Sequence, residues 1–374
     1  MQFQTILAFL LCFVPALAAG QRWTEKQAAD WYQRQPWLVG ANYIPASAIH
    51  PLEMWQAETF DPKRIDLELG WAESLGMNTM RVFLHDLLWQ EDASEFRQPM
   101  DTFLTIAQKH GIRPMFVGFD SCWDPMPVLG TQRVPRPGVH NSGWVQSPGA
   151  KVLQDLSQYS RLEAYTKGVI GAFARDSRVL AWDLWNEPDN LNSGSYGPLE
   201  PKDEVQLVEH LLPMVYVWAR SEEPTQPSTS GVWNGDWSFL EQLSPAGKIQ
   251  IEQSDVITFH SYSSGEKFEE RVKMLQGYGR PVLCTEYLAR GVASTFQGTM
   301  PIALKYRFAV INWGLVAGKT QTYLPWDSWA KPYVDREPAV WFHEVFRADG
   351  APYLIEETEF IRRMAAEGRK RWPL

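Results

Sequence analysis

The sequence predicts an α/β fold in which eight parallel strands alternate with helices and close into a barrel. From Trp37 onward, short runs rich in β-branched and aromatic residues alternate with longer stretches of helical periodicity. Eight alternations suit a closed barrel better than an open doubly wound sheet, which usually has fewer strands. No dinucleotide-binding glycine fingerprint, linker or internal repeat interrupts the pattern. We therefore predict a single-domain (β/α)8 TIM barrel.

The predicted elements follow one another along the chain. The strands are WLVGANY (37–43), NTMRVFL (78–84), IRPMFVGF (112–119), VLAWDLWNE (179–187), PSTSGVW (227–233), DVITFHSY (255–262), PVLCTEY (281–287) and TQTYLPW (320–326). The helices are 62–75, 100–110, 161–174, 205–220, 237–243, 268–276, 302–313 and 340–346. The longest irregular stretch, 120–158, is a candidate wall of the active site because it contains His140, Asn141 and Trp144.

Residues 1–20 have the features of an export signal. An apolar core, 6–14, is broken by Pro15 and followed by Ala16-Leu17-Ala18, whose small residues suit cleavage. The segment is too short to anchor the chain in a bilayer. It lacks a Lys or Arg before the apolar core, and an amphipathic first helix is the alternative. We expect 21–374 to be the mature catalytic domain, which is secreted or periplasmic.

Composition limits the partners of the chain. The formal net charge of −9, without a long Lys/Arg run, offers no attraction for nucleic acid or an anionic membrane. We therefore expect neither as a partner. We also expect the protein to be a monomer. No CxxC, HExxH or P-loop motif supports a zinc or nucleotide site. Once Cys12 is removed with the signal, Cys122 and Cys284 remain, near opposite walls of the predicted barrel. We expect both to be free thiols.

Two glutamates occur where parallel barrels place catalytic groups, at the carboxyl ends of strands. Glu187 ends the fourth predicted strand, in AWDLWNEPDN, and Glu286 nearly ends the seventh. An unpaired carboxylate is costly in a buried strand, so each must be paired, protonated or used. Strands four and seven border the same mouth, and two carboxylates that face one pocket can cleave a glycosidic bond.

These segments resemble those of clan A glycoside hydrolases. Trp185-Asn186-Glu187-Pro188 is similar to their strand-four signature, and Thr285-Glu286-Tyr287 to their strand-seven nucleophile segment. Within the clan the sequence most resembles the glycoside hydrolase family 5, or cellulase-like, group. The resemblance covers the chain from Trp37 to the end as an architecture, but its specificity rests on a few short segments.

The resemblance implies a retaining β-glycosidase or glycanase that cleaves carbohydrate through a covalent glycosyl-enzyme intermediate, without cofactor or metal. Glu187 would be the general acid/base and Glu286 the nucleophile. Asn186 would donate a hydrogen bond to the 2-hydroxyl of the sugar, and Arg81 would keep the nucleophile ionised. The other implied substrate-binding residues are His260 and Tyr262, beside the carboxylates, and Trp326, the platform beneath the sugar.

The predicted roles set expectations for geometry and acidity. A retaining pair should have its carboxyl groups about 5 to 5.5 Å apart. A guanidinium and a tyrosine hydroxyl should lower the pKa of Glu286, whereas burial and the neighbouring charge should raise that of Glu187. Neighbours in a regular strand point to opposite faces, so the strand must be distorted for both Asn186 and Glu187 to reach the sugar.

The sequence departs from the family after strand three. Family 5 members commonly carry a His there, whereas this chain reads GFDSCWD at 118–124. The polar contact to the sugar would have to come from Asp120 or from His85 and Asp86, which follow strand two. This departure bears on the substrate more than on the reaction, and the patterns leave the sugar and the choice between exo and endo action open.

Structural roles are the alternatives for single residues. Arg81 could be an ion-pair partner, His260 a core histidine and Trp326 part of the core. The 18 Trp residues favour sugar binding, because the C–H face of a sugar ring stacks on indole, although many must be core. Two other functions also stay open: a catalytically silent carbohydrate-binding barrel, and a metal-dependent barrel hydrolase, whose His ligands would have to cluster at strand ends.

Overall fold

The computed structural model describes residues 20–373, in which eight parallel strands form one sheet. The strands are β1 (Val39–Asn42), β2 (Thr79–Phe83), β3 (Arg113–Asp120), β4 (Ala181–Asn186), β5 (Ser228–Thr229), β6 (Ile257–His260), β7 (Val282–Glu286) and β8 (Ala309–Asn312). Their order is β5-β4-β3-β2-β1-β8-β7-β6. Val232, just beyond β5, donates to Thr258 O at 3.1 Å and accepts from His260 N at 2.9 Å. These bonds join β5 to β6, and the predicted (β/α)8 barrel is confirmed.

Helices surround the sheet. They are α1 (Glu25–Gln33), α2 (Pro51–Trp55), α3 (Pro62–Ser74), α4 (Asp86–Glu91), α5 (Ala93–Lys109), α6 (Ala150–Leu153), α7 (Tyr159–Phe173), α8 (Glu204–Ser221), α9 (Pro245–Gln253), α10 (Gly265–Gln276), α11 (Phe296–Tyr306) and α12 (Ile355–Arg371). Local signals explain their starts: the Asp61 side chain accepts from Arg64 N, and Pro62 occupies the first turn of α3. α3 then buries Ile65 and Leu69 in the core.

The strands are buried on both faces, as parallel strands covered by helices must be. In β4, Trp182 packs against Phe116 of β3 with ring centroids 5.8 Å apart. Because side chains alternate along a strand, the next residue, Asp183, points to the opposite face. There it pairs with Arg81 of β2 at 2.8 Å, and both side chains are fully buried. The barrel interior therefore carries a polar layer directly below the carboxyl ends of its strands.

The position predicted for the eighth strand is wrong. The segment 320–326 belongs to the loop after β8, and the strand itself is Ala309–Asn312. The helix predicted at 302–313 ends instead at Tyr306, because Arg307 adopts a left-handed conformation with φ of 51°. The short apolar segment 308–311 fits the end of a helix as well as a strand, so periodicity alone does not locate this break.

Two further helix predictions are wrong in position. The segment 237–243 holds only a 3-10 turn, Leu240–Gln242, and the helix follows at α9. The segment 340–346 is irregular, and the last helix is α12. The predicted export signal at 1–20 lies outside the described residues except for its last position. Among residues 20–373, no helix is both long enough and apolar enough to cross a membrane.

Candidate active site

The carboxyl ends of the strands open into a cavity of about 240 Å³. The predicted site residues that line it are Asp120, Asn186, Glu187, Tyr262, Glu286 and Trp326. His140, Asn141 and Trp144 of the long loop after β3 also line it, as the candidate wall required. Arg81 and His260 lie behind this lining, where they contact the carboxylates.

Glu187 leaves the strand through a strained backbone. β4 ends at Asn186, and Glu187 has φ of 43° although Pro188, which follows it, favours extended backbone. A positive φ in a non-glycine residue costs about 1 kcal/mol, and such strain concentrates at functional sites. The break in the strand lets neighbouring side chains, Asn186 and Glu187, line the same cavity. The predicted distortion is therefore present.

The partners of Glu187 carry no formal positive charge at neutral pH. Its Oε1 lies 2.7 Å from His260 Nδ1, and its Oε2 accepts from Asn190 Nδ2 at 2.5 Å and Cys122 Sγ at 3.4 Å. Burial lowers the pKa of His260 to about 4, so the ring is neutral at pH 7. Burial also raises the pKa of Glu187, while the hydrogen bond from Asn190 acts in the opposite direction. This environment favours a carboxyl group that holds a proton, as predicted.

Glu286 has a cationic partner. Arg81 Nη1 donates to its Oε1 at 2.9 Å, and the Tyr262 hydroxyl donates to its Oε2 at 2.7 Å. The guanidinium is held by three more acceptors, Asp183, Asn42 Oδ1 at 2.9 Å and Asn186 Oδ1 at 2.7 Å.

The predicted net fall in the pKa of Glu286 is not borne out, because burial raises that pKa. Nearby His260, Arg81 and Tyr262 all oppose this rise, and Glu187 adds to it. The two glutamates thus differ in their hydrogen-bond partners, although burial raises the pKa of both.

The two carboxylates are close together. One oxygen of Glu187, one oxygen of Glu286 and a ring nitrogen of His260 lie within 4.8 Å of one another. His260 Nδ1 is also 3.5 Å from Glu286 Oε2. Such a set could hold a metal ion, but both oxygens of Glu286 already accept hydrogen bonds, and the Arg81 guanidinium would repel a cation beside them.

Asp120 is the last residue of β3, where the sequence departs from the family 5 pattern. It accepts from Trp144 Nε1 at 2.7 Å and from Asn186 Nδ2 at 2.9 Å, and burial raises its pKa to about 6. The β3–β4 register pairs Asp120 with Asn186, which brings both to the cavity. Cys122, two residues on, and Cys284 are free and buried thiols, as predicted.

Three predicted residues lie elsewhere than expected. Trp326 lines the cavity and is 39% exposed, but it belongs to a 3-10 turn, Trp326–Trp329, rather than to the eighth strand. His85 does not line the cavity: it is fully buried and accepts from Leu87 N as the cap of α4. Asp86 is buried with Arg161 at 2.8 Å. Neither His85 nor Asp86 therefore replaces the missing strand-three His.

Several residues of the cavity have no counterpart in the predicted site. They are Cys122, Trp123, Asn190, Trp233, Trp313 and His343. Asn190 follows Glu187 by three residues in the turn after β4, a spacing that could have suggested contact. The Nδ1 of His343 contacts Leu288 O, 55 residues earlier in the chain and just after β7. No local sequence pattern indicates such a contact.

Solved structures share this barrel. A GH5_18 protein from Streptomyces cattleya in complex with GlcNAc has 16% identity and a TM-score of 0.60, over 91% of this chain and 80% of that one. The exo-beta-1,4-mannosidase Op5Man5 from Opitutaceae bacterium strain TAV5 has 20% identity and a TM-score of 0.56, over 90% and 60%. The endo-1,4-beta-D-mannanase from Thermotoga petrophila RKU-1 has 15% identity and a TM-score of 0.54, over 88% and 99%.

Sequence comparison adds nothing to this result, since neither a protein-family model nor a curated protein sequence matches the chain. At identities of 20% or less, the structural similarity shows a common fold.

Proposed function

We propose that the protein is a retaining glycoside hydrolase that cleaves β-glycosidic bonds by double displacement. The observation that carries the proposal is the pair Glu187 and Glu286, at the ends of β4 and β7, with oxygens within 4.8 Å of each other. An inverting enzyme needs roughly 6.5 to 9.5 Å between its carboxyl groups to admit a water molecule. The solved neighbours of similar fold include a mannosidase and a mannanase, which supports the same reaction class.

In the first step, an oxygen of Glu286 attacks the anomeric carbon while Glu187 gives its proton to the departing glycosidic oxygen. The carbon–oxygen bond breaks, and a glycosyl ester forms on Glu286. Arg81 and Tyr262 fit this role because they hydrogen-bond the carboxylate that must be ionised to attack.

In the second step, Glu187 takes a proton from water, the resulting oxygen attacks the anomeric carbon, and Glu286 is released. Neutral His260 can donate its Nδ1 hydrogen to the ionised Glu187 or accept one from the protonated form. It therefore suits both halves of the cycle.

The first substrates to test are β-mannosides, because the structural neighbours include a β-mannosidase, a β-mannanase and a complex with Manb1-4GlcNAc. The experiment is a panel of 4-nitrophenyl β-glycosides and plant or microbial polysaccharides, assayed with and without EDTA. We expect turnover of at least one β-linked substrate, insensitive to EDTA and with retained configuration in the first product seen by NMR. Inverted product would contradict the proposal.

The two alternatives have distinct outcomes in that panel. A catalytically silent carbohydrate-binding barrel would bind sugars without releasing nitrophenol from any of them. A metal-dependent hydrolase would lose its activity in EDTA and regain it with added metal.

We also propose that residues 1–20 are an export signal, and that the mature protein is monomeric and secreted or periplasmic. Amino-terminal sequencing and light scattering of the exported protein test these statements.

A further inference from the structure

The loops after β3 and β8 join above the mouth of the barrel. We call the joined segments, 136–145 and 320–333, the β3–β8 arch. Hydrogen bonds with donor–acceptor distances of 2.9 Å cross between the segments: Asn141 N to Thr320 O, Tyr333 N to Gly138 O and His140 N to Ser328 Oγ. In the sheet order, β2 and β1 lie between β3 and β8. The arch therefore spans the β1–β2 side of the mouth, across the barrel from β5 and β6.

The β3 side of the arch is packed like a core element, whereas most of 320–333 is half-buried or exposed. Residues 138–150 are buried throughout, although regular structure begins only at Ala150. A side chain at position 138 would come within 2.6 Å of the Tyr333 main chain, which explains the glycine there. Trp123 and Trp329 stack at 5.7 Å with an interplanar angle of 9°, which ties the base of one loop to the other. Such packing makes the arch a fixed wall of the cavity.

Asn141 stands out in this wall. Its side chain is fully buried and lines the cavity, yet neither its Oδ1 nor its Nδ2 has a hydrogen-bond partner among residues 20–373. Its backbone is left-handed, with φ of 48°. A buried amide without partners is costly, and strained backbone persists where the surroundings hold it for a purpose. Sugar hydroxyls, which both donate and accept, can pair with both terminal atoms.

Two histidines beside Asn141 add acceptors. His140 Nδ1 is 2.8 Å from Leu324 O, and His343 Nδ1 contacts Leu288 O. Since a carbonyl only accepts, each Nδ1 carries the hydrogen and each Nε2 is an acceptor. Burial lowers the pKa of His140 to about 4 and that of His343 well below its usual value, so both rings are neutral at pH 7. The rings are 5.3 Å apart and line the cavity.

Under the proposed function, the leaving group would lie on the opposite side of the cavity, beside Glu187. Glu187, which would protonate it, follows β4, and its neighbour Asn190 and Trp233 of the loop after β5 line that part of the cavity. We propose that the arch closes the cavity behind a single sugar unit, so that the enzyme removes one sugar at a time from chain ends, and that Asn141 binds hydroxyls of that terminal sugar. This inference rests on the proposed function and narrows it to exo action.

The action pattern tests the inference. The aryl β-monoside that is hydrolysed best in the panel is compared with the aryl β-1,4-bioside of the same sugar, and products are followed by mass spectrometry. We expect the monosaccharide and the aryl monoside as first products from the bioside, with direct disaccharide release below about a hundredth of the monoside rate. Early disaccharide release, or cleavage of a polysaccharide without turnover of any aryl monoside, would overturn exo action. Failure to cleave any substrate would instead refute the proposed function.

A pair of variants tests Asn141 itself. Asn141→Gly removes the amide and tolerates the positive φ, and Asn234→Ala is the matched control, on an exposed loop outside the cavity lining. We expect kcat/KM of Asn141→Gly on the monoside to fall roughly 10-fold or more, with unchanged melting temperature and an unchanged control. Monodeoxy glycosides should locate the hydroxyl: the wild type should discriminate against one of them, and Asn141→Gly should not. Equal discrimination by both proteins would show that Asn141 binds no hydroxyl.

Discussion

The ends of β4 and β7 each bring a glutamate into one cavity, but the two carboxylates meet different chemical groups. Glu286 receives hydrogen bonds from a guanidinium and a phenol, Arg81 and Tyr262. Glu187 contacts a neutral imidazole, His260, at 2.7 Å. Donors that stabilise an anion surround one carboxylate, whereas a group able to donate or accept adjoins the other. Two identical residue types thus acquire separate roles from their neighbours, and each of the following experiments tests that difference.

The largest effect should come from the β7 side. Glu286→Ala removes the nucleophile, and we expect kcat to fall by about 10⁵-fold or more on every substrate. In the wild type, a slow fluorinated glycoside of the right sugar should leave its label on the peptide with Cys284-Thr285-Glu286. Glu204→Ala is the matched control, since Glu204 is buried but outside the cavity lining. A label found on Glu187 would exchange the two roles.

A smaller, substrate-dependent effect should come from the β4 side. General acid/base catalysis contributes roughly 10² to 10⁴ in rate, so Glu187→Ala should lose that factor on substrates with poor leaving groups. Aryl glycosides whose phenolate departs unaided should still form the intermediate. Azide, which needs no deprotonation, should then restore turnover and give a β-glycosyl azide. Rescue in Glu286→Ala with an α-azide, and none in Glu187→Ala, would contradict the assignment.

The next effect concerns the guanidinium that distinguishes the two sides. Arg81→Lys keeps a positive charge but loses most of the hydrogen bonds to Glu286, Asp183 and Asn186, and we expect a roughly 100-fold loss in kcat/KM. Because Arg81 opposes the rise in the pKa of Glu286, the acid limb of the kcat/KM profile should move to higher pH. Arg290→Lys, which alters a buried pair with Glu357 outside the cavity lining, should leave the profile unchanged. An unshifted acid limb in Arg81→Lys would refute the role of the guanidinium.

The same two strand ends show what the sequence could and could not predict. Glu187 and Glu286 were predictable because each lies at or beside a strand end, where the register of a parallel barrel fixes the meeting point. Arg81, in the middle of β2, and Tyr262, two residues beyond β6, were predicted only from the resemblance to clan A glycoside hydrolases. Trp326 was assigned to a strand that lies instead at 309–312, since an apolar run does not distinguish a helix end from a strand.

The arch was only partly predictable. The length of the loop after β3 and its His140, Asn141 and Trp144 indicated a wall of the site. Its partner, the loop after β8, was not identified, because loop-to-loop hydrogen bonds such as Asn141 N to Thr320 O have no periodicity in sequence. His343 reaches the cavity for the same reason without any local signal. Tertiary packing of irregular segments is the part of this site that residue patterns do not encode locally.

The smallest effect is on stability, and it should have opposite signs at the two strand ends. Burial raises the pKa of Glu187, so its ionised form is less favourable in the folded than in the unfolded chain. This raised pKa favours the folded state at low pH, and that advantage is lost as pH rises through the folded pKa.

At pH 7, Glu187→Gln should therefore raise the free energy of unfolding by about 1 kcal/mol, and near pH 4 the gain should vanish. Glu286→Gln should lower the free energy by about 1 to 3 kcal/mol instead, because a neutral amide would replace one of the two carboxylates that pair with the buried Arg81 guanidinium. Urea unfolding at both pH values measures these differences. Equal stabilisation by the two substitutions would mean that desolvation alone, and not the different partners, governs both carboxylates.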